Sequence, residues 1–254
     1  KACDGVKVIV NPNRTAGAAK AVNDCDANVL IMDDGFQHRR LHRDLDILTI
    51  DSTCPFGGGA MLPAGLLREP LSGISRANAA VITRCDQCSG DRLIRLEKQL
   101  KALNPQIEVI KAIHKPTCVK MLKNQWIPLK RLRNRKIFLF CGIGNPDSFY
   151  KTAEETGCTI IGKKTFNDHH RYTKRDIEQM CRLAGMDRPE GERADYILTT
   201  HKDWTKSCLL TPANCQIPLV YLDIEMTLTD GKELLKDLIE TSLKAKIDAE
   251  KNIN

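Results

Sequence analysis

The chain has 254 residues, enough to bury a substantial core as one large domain or two small ones. Apolar residues make up 42% and charged ones 28%, and no apolar stretch reaches the roughly 20 residues of a membrane-spanning helix, which excludes such a span. The net charge of +7 favours anionic partners such as nucleotides, acidic lipid headgroups or phosphorylated substrates, whereas 5% aromatics without basic–aromatic interleaving disfavour nucleic acid.

Short β-type runs alternate with amphipathic stretches, which predicts an α/β fold layered about a parallel sheet. The first predicted strand covers 6–10. The second covers 29–32, four apolar residues without polar alternation, the pattern of a strand buried on both faces. Asp33-Asp34 follow it, then Gly35-Phe36-Gln37-His38-Arg39-Arg40. Ligands of parallel sheets bind at the carboxyl ends of strands, and paired hard oxygen ligands suit Mg²⁺. The same two acids could instead open a turn before Gly35. His38 with Arg39, Arg40 and Arg43 tilts the reading toward a phosphate site. His38 and His42 would share a helix face, but no Glu-containing zinc motif surrounds them.

Further strands are predicted over 46–50, 79–83, 108–113, 137–141, 159–161, 196–199 and 219–222. The segment 53–76, with Gly57-Gly58-Gly59, Pro63, Gly65, Pro70 and Gly73, reads as a long loop of the kind that is either functional or disordered. Leu93, Leu96, Leu100 and Leu103 after Asp91 mark one helix, and Ile177, Met180 and Ala184 after Thr173 mark another, with Thr173 and Asp176 as a capping-box pair. Asn145-Pro146 opens a third helix. The last, with Leu234, Leu235, Leu238, Ile239 and Leu243 on one face, is expected to be capped by Asp230 and Glu233 and to fray from Lys244. The basic run Lys130-Arg131-Leu132-Arg133-Asn134-Arg135-Lys136 divides the chain into 1–135 and 136–254. It serves either as a solvated linker or as a membrane-surface or phosphate patch.

Three further segments could carry chemistry. Gly157-Cys158-Thr159-Ile160-Ile161-Gly162-Lys163-Lys164 has phosphate-loop glycine and lysine spacing, but Lys164 replaces the Ser or Thr that binds Mg²⁺, and the centre reads as a strand. Gly142-Ile143-Gly144 is a turn leading into a helix whose N–H groups can reach an anion. Phe166-Asn167-Asp168-His169-His170-Arg171-Tyr172 sets acid, imidazole and cation side by side, the recipe for a carboxylate-oriented general base; the paired histidines also suit a metal, and the same residues could form a surface turn facing water. Thr199-Thr200-His201-Lys202-Asp203, at a strand end, reads either as a ligand edge or, the reading favoured from these residues alone, as a helix N-cap with solvated charges. The 11 cysteines are scattered, imply no disulfide framework and suit a reducing cytoplasm, and Cys85-Asp86-Gln87-Cys88 lacks the second pair a structural zinc needs. From the residues alone two other classes stay open. One is a Mg²⁺- or Zn²⁺-dependent phosphohydrolase using Asp33, Asp34, His169 and His170, and the other is a non-catalytic module for anionic lipid.

Taken in order, Asp33 to Arg39 with Arg43-Asp44, Leu62-Pro63-Ala64-Gly65 with Leu67-Arg68-Glu69, Gly142 to Pro146 with Phe149, Phe166 with Asp168-His169-His170 and Tyr172-Thr173, and Thr199-Thr200 with Lys202-Asp203 resemble the tetraacyldisaccharide 4′-kinase family. The resemblance implies a P-loop-kinase-like fold with helices on both faces of the sheet. It further implies transfer of the ATP γ-phosphate, with Mg²⁺, to the 4′-hydroxyl of an acylated glucosamine disaccharide 1-phosphate in lipid A biosynthesis. The setting it implies is peripheral, on an anionic membrane surface at the cytoplasmic face of the inner membrane. On the matching positions, Asp33 and Asp34 become Walker-B metal ligands, and Gln37 and His38 neighbours of the nucleotide phosphates. Arg68 stabilises transferring charge, and His169, with Asp168 beside it, is the catalytic imidazole. Where this chain has His201, the family has glutamate. The family's membrane helix, Gly-Lys-Thr loop and Asp-Glu-Pro segment are expected before Lys1, so the chain reads as a kinase fragment inactive by itself.

Overall fold

The computed structural model describes residues 5–122 and 125–251. Two compact units emerge, one of Lys1–Ile113 with Leu228–Asn254 and one of His114–Thr227. Their bounds differ from the division at residue 135, because the C-terminal helix packs back on the first unit's strands.

In the first unit β1 (Ile47–Asp51), β2 (Ala79–Thr83) and the start of β3 (Glu108–Lys120) run parallel in that order. Every residue of β2 is buried, since both its faces are covered. Ala80 and Ile82 pack with Leu96 and Leu100 of α2 (Gly90–Leu103), while Ala79 and Val81 pack with Leu235 and Leu238 of α6 (Lys232–Lys251). The period of two in side-chain direction thus divides one apolar strand between two helices. A further helix, α1 (Arg14–Cys25), buries no residue and is held by Asn13, whose side chain accepts from the Ala16 N–H. Having no apolar stripe, it leaves little periodic trace in the sequence.

The strands expected at 6–10 and 29–32 do not form. Val8 is 83% exposed and Ile31 94%, and among the described residues no strand pairs with either segment. An apolar run supplies β propensity, but a strand exists only with a partner to take its N–H and C=O groups. Asp33-Asp34 therefore follow an exposed extended segment, not a buried strand. Asp34 turns the chain in the left-handed region at φ 50°, the turn that was the alternative reading. Nor do His38 and His42 share a helix: 36–41 is a run of turns, and His42 lies 3.8 Å from Asp44.

In the second unit β5 (Lys136–Cys141), β6 (Thr159–Thr165), β7 (Tyr196–Thr200) and β8 (Leu219–Asp230) lie parallel in the order β6-β5-β7-β8. The short β4 (Trp126–Pro128) pairs antiparallel with the end of β3. Ile137, Leu139 and Cys141 face α3 (Pro146–Glu154) through Phe149, Tyr150 and Ala153. Phe138 and Phe140 face α4 (Lys174–Cys181) through Ile177 and Met180. The seven later predicted strands are present, and β3, β6 and β8 run further than their apolar cores. Both units are thus α/β layers with helices against each face of parallel strands, as expected.

Two sequence expectations need correction. Cys181 and Cys215 form a disulfide, with Cα atoms 5.9 Å apart and a sequence separation of 34, a proximity that spacing could not announce. Helix α6 begins after Gly231, whose carbonyl accepts from the Leu235 N–H, while Asp230 pairs with Lys111 at 3.5 Å instead of capping. This helix continues past Lys244 to Lys251, and 252–254 lie outside the described residues.

Candidate functional site

The residues singled out by sequence fall into two clusters, one in each unit. In the first unit, Gly57, Gly58 and Gly59 all take positive φ, which folds the long loop back so that Leu66 N–H meets the Gly57 carbonyl at 3.0 Å and Leu67 N–H the Ala60 carbonyl at 3.1 Å. Arg68 follows at once, and its guanidinium donates to Asp34 Oδ2 at 2.6 Å. The neighbouring Glu69 is pinned by Arg76 at 2.9 Å and accepts from Gln37 Nε2 at 3.4 Å, so the loop is anchored where Arg68 leaves it. Asp34 raises the Arg68 pKa first by this hydrogen bond and then by its charge.

Arg14, Asp34, Gln37, His38 and Arg68, with Pro12, line a cavity of about 490 Å³. Sequence reasoning did not assign Arg14 a site role, and its only local signal is the Asn13 cap that starts α1 beside it. Arg43, counted among the basic residues of a phosphate site, has another task. It grips Asp46 at 2.6 Å and the His38 carbonyl at 2.6 Å, which fixes the backbone that presents His38. His38 Nε2 is shielded from solvent and has no hydrogen-bond partner, and an orphaned buried nitrogen facing two arginines and an amide suits an anionic ligand. Asp33 is exposed beside them. Among the described residues no three His, Cys, Asp or Glu side chains gather around one point. Two carboxylates with ligand phosphates and water are the usual Mg²⁺ complement, so these residues fit a Mg²⁺-polyphosphate and not an all-protein cage.

In the second unit three adjacent strands end together. The β5–α3 turn contains Gly142, where an added Cβ would stand 3.0 Å from the Tyr172 hydroxyl and 3.1 Å from the Asn167 carbonyl, so a side chain here would press the turn away from the 166–172 segment by a few tenths of an ångström. The Gly142 N–H donates to Asp203 Oδ2 at 2.9 Å. After β6 comes the acid–imidazole segment. Asp168 accepts from Lys202 Nζ at 2.9 Å and from the His169 N–H at 2.8 Å, and the Lys202 hydrogen bond is the main reason its pKa is lowered. The His169 ring is exposed, its Nε2 3.8 Å from Asp168 Oδ2, on a backbone at φ 60°. His170 is used differently. It stacks on Phe166 at 4.5 Å and reaches Asp176 Oδ2 at 3.2 Å, within the capping box of α4. After β7, Thr200 caps α5 (His201–Ser207), as the sequence predicts. The phosphate-loop look-alike is the turn at Gly157 followed by β6, in keeping with its strand-like centre.

The chain matches the family model described as tetraacyldisaccharide-1-P 4′-kinase over residues 1–244. It is 37% identical over 212 residues to the tetraacyldisaccharide 4′-kinase of Halothermothrix orenii, covering 80% of this chain and 54% of that protein. It is 35% identical over 202 residues to the same-named protein of Elusimicrobium minutum, covering 79% and 52%. The chain therefore spans about half the length of these two relatives. Among solved structures, the LpxK of Aquifex aeolicus crystallised in complex with ATP superposes with a TM-score of 0.59 at 28% identity, over 91% of this chain and 62% of that one.

Proposed function

We propose a function from one premise: the chain belongs to the tetraacyldisaccharide-1-P 4′-kinase family. The protein that carries it transfers the γ-phosphate of ATP to the 4′-hydroxyl of an acylated glucosamine disaccharide 1-phosphate. The observation that carries this reading is the cavity in which Asp34, Arg68, Arg14, Gln37 and the orphaned His38 Nε2 converge. Two arginines and an amide donor match the oxygens of a polyphosphate, and Asp33 and Asp34 match a hard cation held jointly with it. Bound Mg²⁺ would supply neutralisation of phosphate charge. Arg68, as a planar, permanently charged donor, stabilises the charge that spreads over equatorial oxygens during transfer. Asp34 holds that guanidinium in place until a phosphate competes for it. In the second unit, Asp168, whose pKa Lys202 lowers, holds the His169 backbone N–H and places its charge 3.8 Å from the exposed imidazole, which takes the proton of the sugar hydroxyl and whose protonated form that charge stabilises.

We assign the anionic partner surface to the second unit's basic stretch. Arg133, Arg135, Lys136 and Arg193 line a cavity of about 540 Å³, where Asp195 pairs with Arg135 at 3.1 Å, while Arg133 and Arg193 form no ion pair among the described residues. Unneutralised cations of this kind support peripheral attachment to acidic headgroups, and the cytoplasmic face of the inner membrane is where ATP is at hand.

The function is tested by following ³²P from γ-labelled ATP into the disaccharide 1-phosphate, using the full-length protein that carries this chain and the 254-residue chain alone. Label in the lipid with the full-length protein, and none with the chain alone, is the expected result, because this stretch contains no glycine-lysine-threonine cradle for the phosphates. Phosphate released equally with and without acceptor would replace the kinase by a hydrolase.

A further inference from the structure

Asp203 has no part in the roles just described, yet it is the fully buried carboxylate of the second unit's strand-end cluster, at 0% exposure. Its Oδ2 takes two donors, the Gly142 N–H at 2.9 Å and the Thr200 hydroxyl at 2.8 Å. Thr200 in turn accepts from the Asp203 N–H at 3.1 Å, so acid and cap fix each other at the first turn of α5. Asp203 Oδ1 and the Tyr172 hydroxyl, both buried, find no other hydrogen-bond partner and interact with each other: the Tyr172 pKa is pushed far up by burial first, then by the Asp203 charge and by the hydroxyl's hydrogen bond toward that carboxylate. The Tyr172 ring packs edge-on to Phe140 at 5.5 Å, Phe166 at 5.2 Å and His170 at 5.0 Å. One residue earlier, Lys202 points to solvent and holds Asp168.

We propose that Asp203 is a positioning residue of the phosphoryl-transfer site. By holding the Gly142 amide it sets the distance between the β5–α3 turn and the 166–172 segment packed on it, and so the placement of Asp168 and His169. The proposal rests on the kinase reading for its catalytic consequence but not for its geometry. A carboxylate suits this place better than an amide because hydrogen bonds to it are about twice as strong as those to a neutral acceptor, and because it cannot turn to present a donor to Gly142. An acid serving only to cap α5 would not need to reach a second strand's turn.

Asp203→Asn keeps shape and one acceptor oxygen and loses the charge, whereas Asp203→Ala removes both. In the full-length protein we expect Asp203→Ala to lower kcat about a hundredfold, with KM for ATP within about twofold, each normalised to folded protein, and Asp203→Asn to recover at least tenfold of the loss. Amide and imidazole NMR supplies the second readout, independent of turnover: in Asp203→Asn the Gly142 N–H should move upfield and the His169 ring signals should shift. If folded Asp203→Asn leaves the Gly142 and His169 signals unmoved, the proposal is overturned. Unchanged kcat in both variants also overturns it. If the wild type transfers no phosphate at all while the signals move as expected, the kinase reading fails and the positioning by Asp203 stands.

Discussion

Asp34 and Arg68 of the first unit meet at 2.6 Å with more than half of each side chain in solvent, while Asp203 of the second is wholly buried and holds its two donors in the dark. The first arrangement is cheap to undo. An exposed ion pair is worth at most about 1 kcal/mol, so an incoming phosphate can take Arg68 and a cation can take Asp34 with little loss. The second resists change, because freeing a buried carboxylate strands its charge away from water. One cluster is arranged to exchange partners, and the other to keep a geometry.

The two clusters should respond differently to substitution. Asp34→Asn should lower phosphoryl transfer by about a thousandfold, the scale of losing a group that handles transition-state charge, while leaving the denaturation midpoint nearly unmoved because both partners are exposed. A large stability loss would show that the pair is structural and erase the distinction. Next comes the packing itself. Phe140, at 0% exposure between α4 and Tyr172, should cost about 3–5 kcal/mol when cut to alanine, whereas Ile31→Ser at 94% exposure should change stability by no more than about 0.5 kcal/mol in chemical denaturation of this chain. A comparable cost at Ile31 would mean that the 29–32 segment is packed in solution.

The two histidines separate the same way within a single segment. His170→Ala gives up the Asp176 hydrogen bond and the stack on Phe166 and should cost about 1–2 kcal/mol of stability. His169→Ala touches only an exposed ring and should leave unfolding unchanged while cutting transfer in the full-length protein. Reversed outcomes would exchange their roles.

What the sequence disclosed follows the same physics. The strand at 79–83 was legible to the residue because it is apolar on both faces and both faces are in fact covered. The run at 29–32 carries the same local signal and yet forms no strand, since pairing belongs to the partner as much as to the segment. Motif order exposed Asp33, Asp34, Gln37, His38, Arg68, Asp168 and His169 as a set, but not which of them touch. Gly142 and Asp203 lie 61 residues apart, and neither the hydrogen bond between them nor the Cys181–Cys215 disulfide leaves a local trace. The return of α6 to the first unit is equally silent, because an apolar helix face names no destination.

Lys202 offers the smallest effect and the finest test of the contrast, since it belongs to the buried cluster's element but works at the surface. Its ammonium holds the Asp168 pKa below the ordinary carboxylate range, with the His169 N–H assisting and partial burial opposing. A carboxylate with a depressed folded-state pKa adds stability above its unfolded value, near 3.9, and that contribution is lost as pH falls through the folded value. With 40% and 44% of the two side chains exposed, screening reduces the pair to about 0.5 kcal/mol or less. Lys202→Met should therefore raise the Asp168 pKa in a carboxyl NMR titration and give a small stability deficit at pH 7 that closes as pH falls through the folded-state value of Asp168. Because the Asp203–Gly142 bond is buried and charge-assisted, the Gly142 amide signal should not move in this variant. If it does, the surface pair and the buried acid form one coupled device, and the division between an exchangeable surface and a fixed interior does not hold inside α5.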